Sequence, residues 1–114
     1  MSAGKGRFRV YSHGYFIGWT DLEHQDRVMG TAYGEFRPDG EYDDVRKFVW
    51  EANDSRDLAV MGALALTVRD LAERVLPASE GVWISDRDDP IALREVQLLG
   101  FRAFDEFIGT PGGS

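Results

Sequence analysis

Two β-prone runs, residues 7–12 and 15–20, stand on either side of His13-Gly14. Glycine accepts positive φ freely and histidine is among the side chains that tolerate it, so this dipeptide suits a two-residue hairpin turn. Such a turn sets Ser12 opposite Tyr15, Val10 opposite Ile17 and Phe8 opposite Trp19, and opposed residues share a face. Phe8, Val10, Ile17 and Trp19 then make one apolar face, while Arg7, Arg9, Tyr11, Phe16 and Gly18 point the other way. Turn and pattern agree, which predicts an N-terminal hairpin over 7–20.

A polar connection over 21–28 leads to a third strand over 29–37. Gly30, Ala32, Gly34 and Phe36 share one side of it, and Met29, Thr31, Tyr33 and Glu35 the other. The small-residue side admits a close neighbour, either a packed helix or a ligand, and the helix that follows favours the first. Pro38-Asp39-Gly40 is a turn. Tyr42, Val45, Phe48, Val49 and Ala52 fall on one face of an amphipathic helix over 41–52. Asp39, Glu41, Asp43 and Asp44 suit its N-terminal end, and Asn53-Asp54-Ser55 closes it.

Residues 57–75 carry two periodicities. Leu58, Met61, Ala65, Val68, Ala72 and Val75 repeat as a helix, whereas Leu64, Leu66 and Val68 alternate as a strand; local propensity favours the helix. Strands are expected over 81–86 and 93–101, joined by an acidic turn at Arg87-Asp88-Asp89-Pro90. Phe104, Phe107 and Ile108 suit a short final turn or helix. The fold class read from these elements is α+β, a mainly antiparallel sheet with the 41–52 helix packed on it. It forms a single domain over 7–108, between flexible ends at 1–6 and 109–114.

The series Asp21-Leu22-Glu23, Asp26, Met29-Gly30, Ala32, Gly34, Phe36, Pro38 and Tyr42 resembles the signature of a group of small uncharacterised bacterial proteins. A weaker likeness continues through Leu64, Leu66, Val68, Leu76-Pro77, Gly81-Val82, Ile84, Glu95-Val96 and Leu99-Gly100, so that it spans about 7–108. The resemblance implies no activity. It does imply a β-hairpin with a tight turn over 64–77, and hence a strand at 63–69 against local propensity. The chain departs from that pattern by placing Asp70-Leu71-Ala72-Glu73 where a glycine-containing turn is expected.

The net charge of −7, from 20 acidic and 13 basic side chains, argues against nucleic acid and suits a basic protein partner or simple solubility. The chain has no cysteine, which removes disulfides, thiolate metal sites and cysteine nucleophiles. No apolar run is long enough for a membrane span, and the expectation is a cytoplasmic protein without a cofactor.

Asp21, Glu23, His24 and Asp26 form the densest polar group and are the candidate ligand or metal residues, since carboxylate and imidazole hold Zn²⁺ or Mn²⁺ and exchange protons. The competing role for these acids is to bind backbone amides and shape the loop, and that role is favoured. Asp86 to Pro90 reads as a solvated turn, because neither a calcium loop nor a phosphoryl-transfer motif is completed. Phosphate-loop and Gly-x-Ser-x-Gly patterns are absent from the sequence. Trp50, off the main helical stripe, and Tyr33 are candidate interaction residues. Three functions follow. The first is a non-catalytic binding protein, an immunity-type or regulatory partner. The second is a small metal- or ligand-binding domain or hydrolase centred on Glu23, His24 and Asp26. The third is a homo-oligomer using a sheet edge or Trp50.

Overall fold

The computed structural model describes residues 6–87 and 93–108; the expected loose ends at 1–5 and 109–114, and the Asp88-Asp89-Pro90 part of the acidic turn, lie outside the described residues. The fold is α+β, with two antiparallel four-stranded sheets and one longer helix. The first sheet contains β1 (Phe8–Ser12), β2 (Tyr15–Thr20), β5 (Arg37–Pro38) and β6 (Leu66–Asp70), in the order β5-β2-β1-β6. The second contains β3 (His24–Asp26), β4 (Thr31–Glu35), β7 (Gly81–Ser85) and β8 (Glu95–Leu99), in the order β3-β4-β8-β7. Helices α1 (Tyr42–Ser55), α2 (Leu58–Gly62) and α3 (Phe104–Phe107) complete it. Phe8, Val10, Ile17 and Val68 from the first sheet share one buried cluster with Ala32, Ile84, Val96 and Leu98 from the second. Among the described residues no helix is long and apolar enough to cross a membrane.

The hairpin turns at His13-Gly14, with φ of 51° and 82°, as two-residue turn geometry requires. Its register is kept only near the turn. A bulge between Val10 and Tyr11 sets Val10 against Gly18, Arg9 against Trp19 and Phe8 against Thr20. Trp19 therefore leaves the expected core face. It lies edge-on to Phe16 at 5.3 Å on the outer side, and its indole N–H donates to Asp39 Oδ2 at 3.2 Å. A bulge adds one residue to one strand and turns everything beyond it to the opposite face.

The expected strand over 29–37 divides. Residues 27–30 form a turn, β4 follows, and the chain crosses at Phe36 from the second sheet to the first. Glu35 pairs with Glu95, while Arg37 two residues on pairs with Trp19. Phe36 sits at this corner, 2% exposed and edge-on to Tyr42, and its N–H donates to the Arg94 carbonyl at 3.0 Å. On the small-residue side Phe36 packs against Tyr42 of α1, while the two glycines have other close neighbours. A Cβ on Gly34 would lie 2.9 Å from both the Glu23 nitrogen and the Leu22 Cα, and one on Gly30 would meet the Arg102 guanidinium. The polar connection is the close neighbour at Gly34, and Arg102 at Gly30.

Helix α1 runs past its expected end. Asn53 is buried and donates to the Val49 and Ile84 carbonyls, both at 2.8 Å, and the helix stops at Arg56 in the left-handed region. The ambiguous stretch holds both elements: a five-residue helix capped by Asp57, then β6. The turn after β6 needs no glycine. Glu73 takes a φ of 68°, and the Asp70 carboxylate accepts from the Ala72 and Arg74 amides and from Arg74 Nε. The chain then returns along β6, with the Leu76 N–H donating to the Val68 carbonyl at 2.8 Å.

Two outcomes are expected. Gly34→Ala pushes the 22–23 backbone off β4 and lowers stability by about 1–3 kcal/mol in urea unfolding. Partial burial alone would raise the Asp70 carboxyl, but the hydrogen bonds from the Arg74 backbone and side chain, with the Arg74 charge, outweigh it and hold it below its ordinary value. A depressed folded value means stability that is present at neutral pH and lost as pH falls through it. The stability gap between the native chain and Asp70→Asn therefore narrows as pH drops below about 4, read by thermal melts across pH.

Candidate binding face

The alternation in the second sheet decides what faces outward. Ala32, Ile84, Val96 and Leu98 are fully buried on the core side. Their neighbours Tyr33 and Gln97 stand on the other side, half-buried, as does Trp83, which also packs against the buried cluster. The pairing aligns them. His24 is opposite Tyr33, Tyr33 opposite Gln97, and Gln97 opposite Trp83, one residue from each strand in a single row. The His24 and Tyr33 rings stack, with centroids 5.1 Å apart and planes 27° from parallel. The adjacent row is Glu35, Glu95 and Ser85. Gln97 Nε2 donates to Glu95 Oε1 at 2.9 Å and so ties the two rows together.

A cleft of about 460 Å³ opens beside these rows, lined by Glu23, His24, Glu35, Ser85, Leu93, Arg94 and Glu95. Its carboxylates, Glu23, Glu35 and Glu95, outnumber the single arginine. Glu23 reaches the cleft because Leu22, at φ 48°, turns the chain sharply across Gly34, and Glu23 Oε2 accepts the Glu35 N–H at 3.3 Å. Glu35 also lies 3.5 Å from an Arg37 guanidinium nitrogen.

Arg94 is anchored from behind. Its Nε lies 3.2 Å from Asp86 Oδ1 as an ion pair. Asp86 is 3% exposed, so it is not the solvated turn residue expected from its acidic neighbours. A buried carboxylate needs charge and hydrogen bonds around it. Here the Tyr42 hydroxyl and the Trp50 indole N–H, the latter at 3.2 Å, both donate to Oδ2. Burial pushes the Tyr42 phenol well above its usual value, and its hydrogen bond to Asp86 and the Asp86 charge act in the same direction.

The four acidic and imidazole candidates separate in space. Glu23 and His24 line the cleft; Asp21 and Asp26 do not. Asp21 accepts the Arg7 N–H at 2.8 Å and an Arg37 nitrogen at 3.2 Å, and Asp26 accepts the Met29 N–H at 3.0 Å. Among the described residues no three of His, Asp and Glu are grouped to hold a metal. Ser85 and His24 line one cleft, yet β7 and β3 are three strand spacings apart, roughly 14 Å, so the hydroxyl and the ring do not meet. Of the interaction candidates, Tyr33 stands in the outward row, while the half-buried Trp50 commits its indole N–H to Asp86.

Comparison with known proteins finds no match among family models, curated proteins or solved structures.

Gln97, Trp83, Glu95, Arg94 and Asp86 escaped the sequence reading. The signal for the first three was present: Val82/Ile84 and Val96/Leu98 alternate inward, which turns Trp83, Glu95 and Gln97 outward. Nothing local marks Asp86, whose partners are 44, 36 and 8 positions away in sequence.

Asp86→Ala strands the Tyr42 hydroxyl and the Trp50 N–H and frees Arg94. The expected loss is on the order of 3 kcal/mol in denaturant unfolding, against about 1 kcal/mol for Tyr42→Phe, which removes one donor and leaves the carboxylate its other partners.

Proposed function

We propose that this chain is a non-catalytic binding protein whose working surface is the outer face of the second sheet, and that it takes a cationic polypeptide surface there. The observation that carries the reading is the His24, Tyr33, Gln97 and Trp83 row set beside an acidic cleft. Aromatic faces attract ammonium and guanidinium groups, by roughly 0.5–2 kcal/mol each, and carboxylates complete their hydrogen bonds. Gln97 offers an amide to a partner backbone. The net charge of −7 steers a basic partner toward the protein and repels nucleic acid. A cytoplasmic regulatory or immunity-type role is the form of this reading that suits an acidic chain free of cysteine.

The hydrolase reading gains no support from the geometry, since Asp26 is turned to its own loop and His24 faces Tyr33. Self-association through β3 is opposed by its three-residue length and by Asp26, a charge on an exposed edge strand.

The test is an amide chemical-shift titration with a lysine- and arginine-rich peptide that lacks apolar residues. Shifts are expected to concentrate at His24, Tyr33, Glu35, Glu95 and Gln97. The double variant His24→Ala/Tyr33→Ala should bind roughly tenfold more weakly while still melting cooperatively as a folded protein. Shifts spread evenly over every acidic stretch would show charge attraction without a site and would sink the proposal.

A further inference from the structure

Helix α1 is more apolar than the core requires. Tyr42, Val49 and Ala52 are buried, yet Phe48, on the same expected stripe, is 44% exposed and Val45 only half-buried. These two residues line a pair of adjoining hollows of about 450 and 370 Å³, which share His13 and Val45. Tyr15 from the hairpin turn walls one end, and Val60 and Ala63 wall the other. Glu41 and Asp44 form the rim. Together they make one apolar groove along a stripe of α1 at helical spacing, and it shares no lining residue with the cleft of the second sheet.

The groove is already built. The His13 N–H donates to the Ala65 carbonyl at 3.3 Å, and His13 Nε2 lies 2.9 Å from the Ala63 carbonyl. Both contacts fasten the hairpin turn to the segment after α2, so the walls hold their places before any partner arrives, which cuts the entropic cost of binding.

We infer that this groove docks a short amphipathic helix of a partner protein, with an apolar face and basic flanks. Aliphatic and aromatic side chains on α1 at i, i+3 and i+4 spacing are what a helix-in-groove contact uses. The charge selects the occupant. Glu41 and Asp44 border the groove at the Tyr15 end, while Lys47 lies over the Phe48 ring at 5.7 Å, so basic residues of the incoming helix belong over Glu41 and Asp44. A second copy of this chain would bring the same acidic rim and the same net charge of −7 against it.

The test uses the full chain and two synthetic helical peptides of about 14 residues with one leucine face, one carrying lysine on the opposite face and the other glutamate. Calorimetry should find one-to-one binding of the leucine–lysine peptide, weakened roughly tenfold or more by exchange of lysine for glutamate, by Phe48→Ala and by Asp44→Lys. Both substituted positions are exposed or half-exposed, and an unchanged melting temperature confirms that each variant is folded. Amide signals of His13 and Tyr15 should shift with this peptide and stay still with an oligo-lysine lacking leucine. Binding of the leucine–lysine peptide no tighter than oligo-lysine, or unaltered by Phe48→Ala, overturns the inference. A concentration-dependent dimer abolished by Phe48→Ala would assign the groove to a second copy instead, and overturns it too.

Discussion

Side chains on a strand alternate with a period of two, so a slip of β4 by one residue along β8 would carry Tyr33 and Glu35 into the core and turn Ala32 and Gly34 out to water. The observed register, with Ala32 against Leu98 and Gly34 against Val96, is held at both ends. The chain leaves β4 through the Phe36 corner, where the Phe36 N–H continues onto the Arg94 carbonyl and Arg37 is already paired in the other sheet. It enters β4 from the turn closed by Asp26 on the Met29 amide. Between them, Gly34 allows the Leu22–Glu23 backbone to lie where a side chain would have kept it away. The same pairing that buries the apolar half of the sheet aligns His24, Tyr33, Gln97 and Trp83 on the other half. The outward row and the core are two sides of one constraint.

Asp86 links that sheet to α1. A carboxylate removed from water is costly unless it is hydrogen-bonded and paired, and here Tyr42 and Trp50 donate to it while Arg94 pairs its charge. The result ties the C-terminal end of β7 to the first and third turns of the helix and holds Arg94 at the cleft wall. Asn53 repeats the arrangement one step along, bridging α1 to the Ile84 carbonyl. Polar bridges of this kind fix the helix against the sheet in one orientation, where apolar packing alone is less selective.

Local pattern made the secondary structure readable wherever a single element owned its residues. The His13-Gly14 turn, the α1 stripe and the alternation in β7 and β8 are all visible in the chain. The bulge at Val10/Tyr11 was not, because Ile17 and Trp19 are both apolar and alternate without a break, and this placed Trp19 on the wrong face. The span from Leu58 to Asp70 misled because a one-turn helix and a short strand sit close together and their apolar positions satisfy both periods. Asp86 was read from its acidic neighbours, whereas its burial is decided by residues far away in sequence. Glu23, His24 and Tyr33 could be singled out as polar or aromatic residues. Their assembly with Gln97 and Trp83 depends on pairing between distant strands, which no single strand's composition specifies.

Two surfaces of different character, an aromatic and acidic sheet face and an apolar groove beside a helix, are thus proposed to take basic polypeptide. The first surface exists only through the register of β4 against its neighbours. Backbone NOE spectroscopy between β4 and its neighbours reads that register without any ligand. Cross-strand contacts pairing Tyr33 with Gln97 and with His24, and Gln97 with Trp83, are the result expected. Contacts pairing Tyr33 with Val96 or Leu98 would place it in the core, dissolve the row and contradict the account.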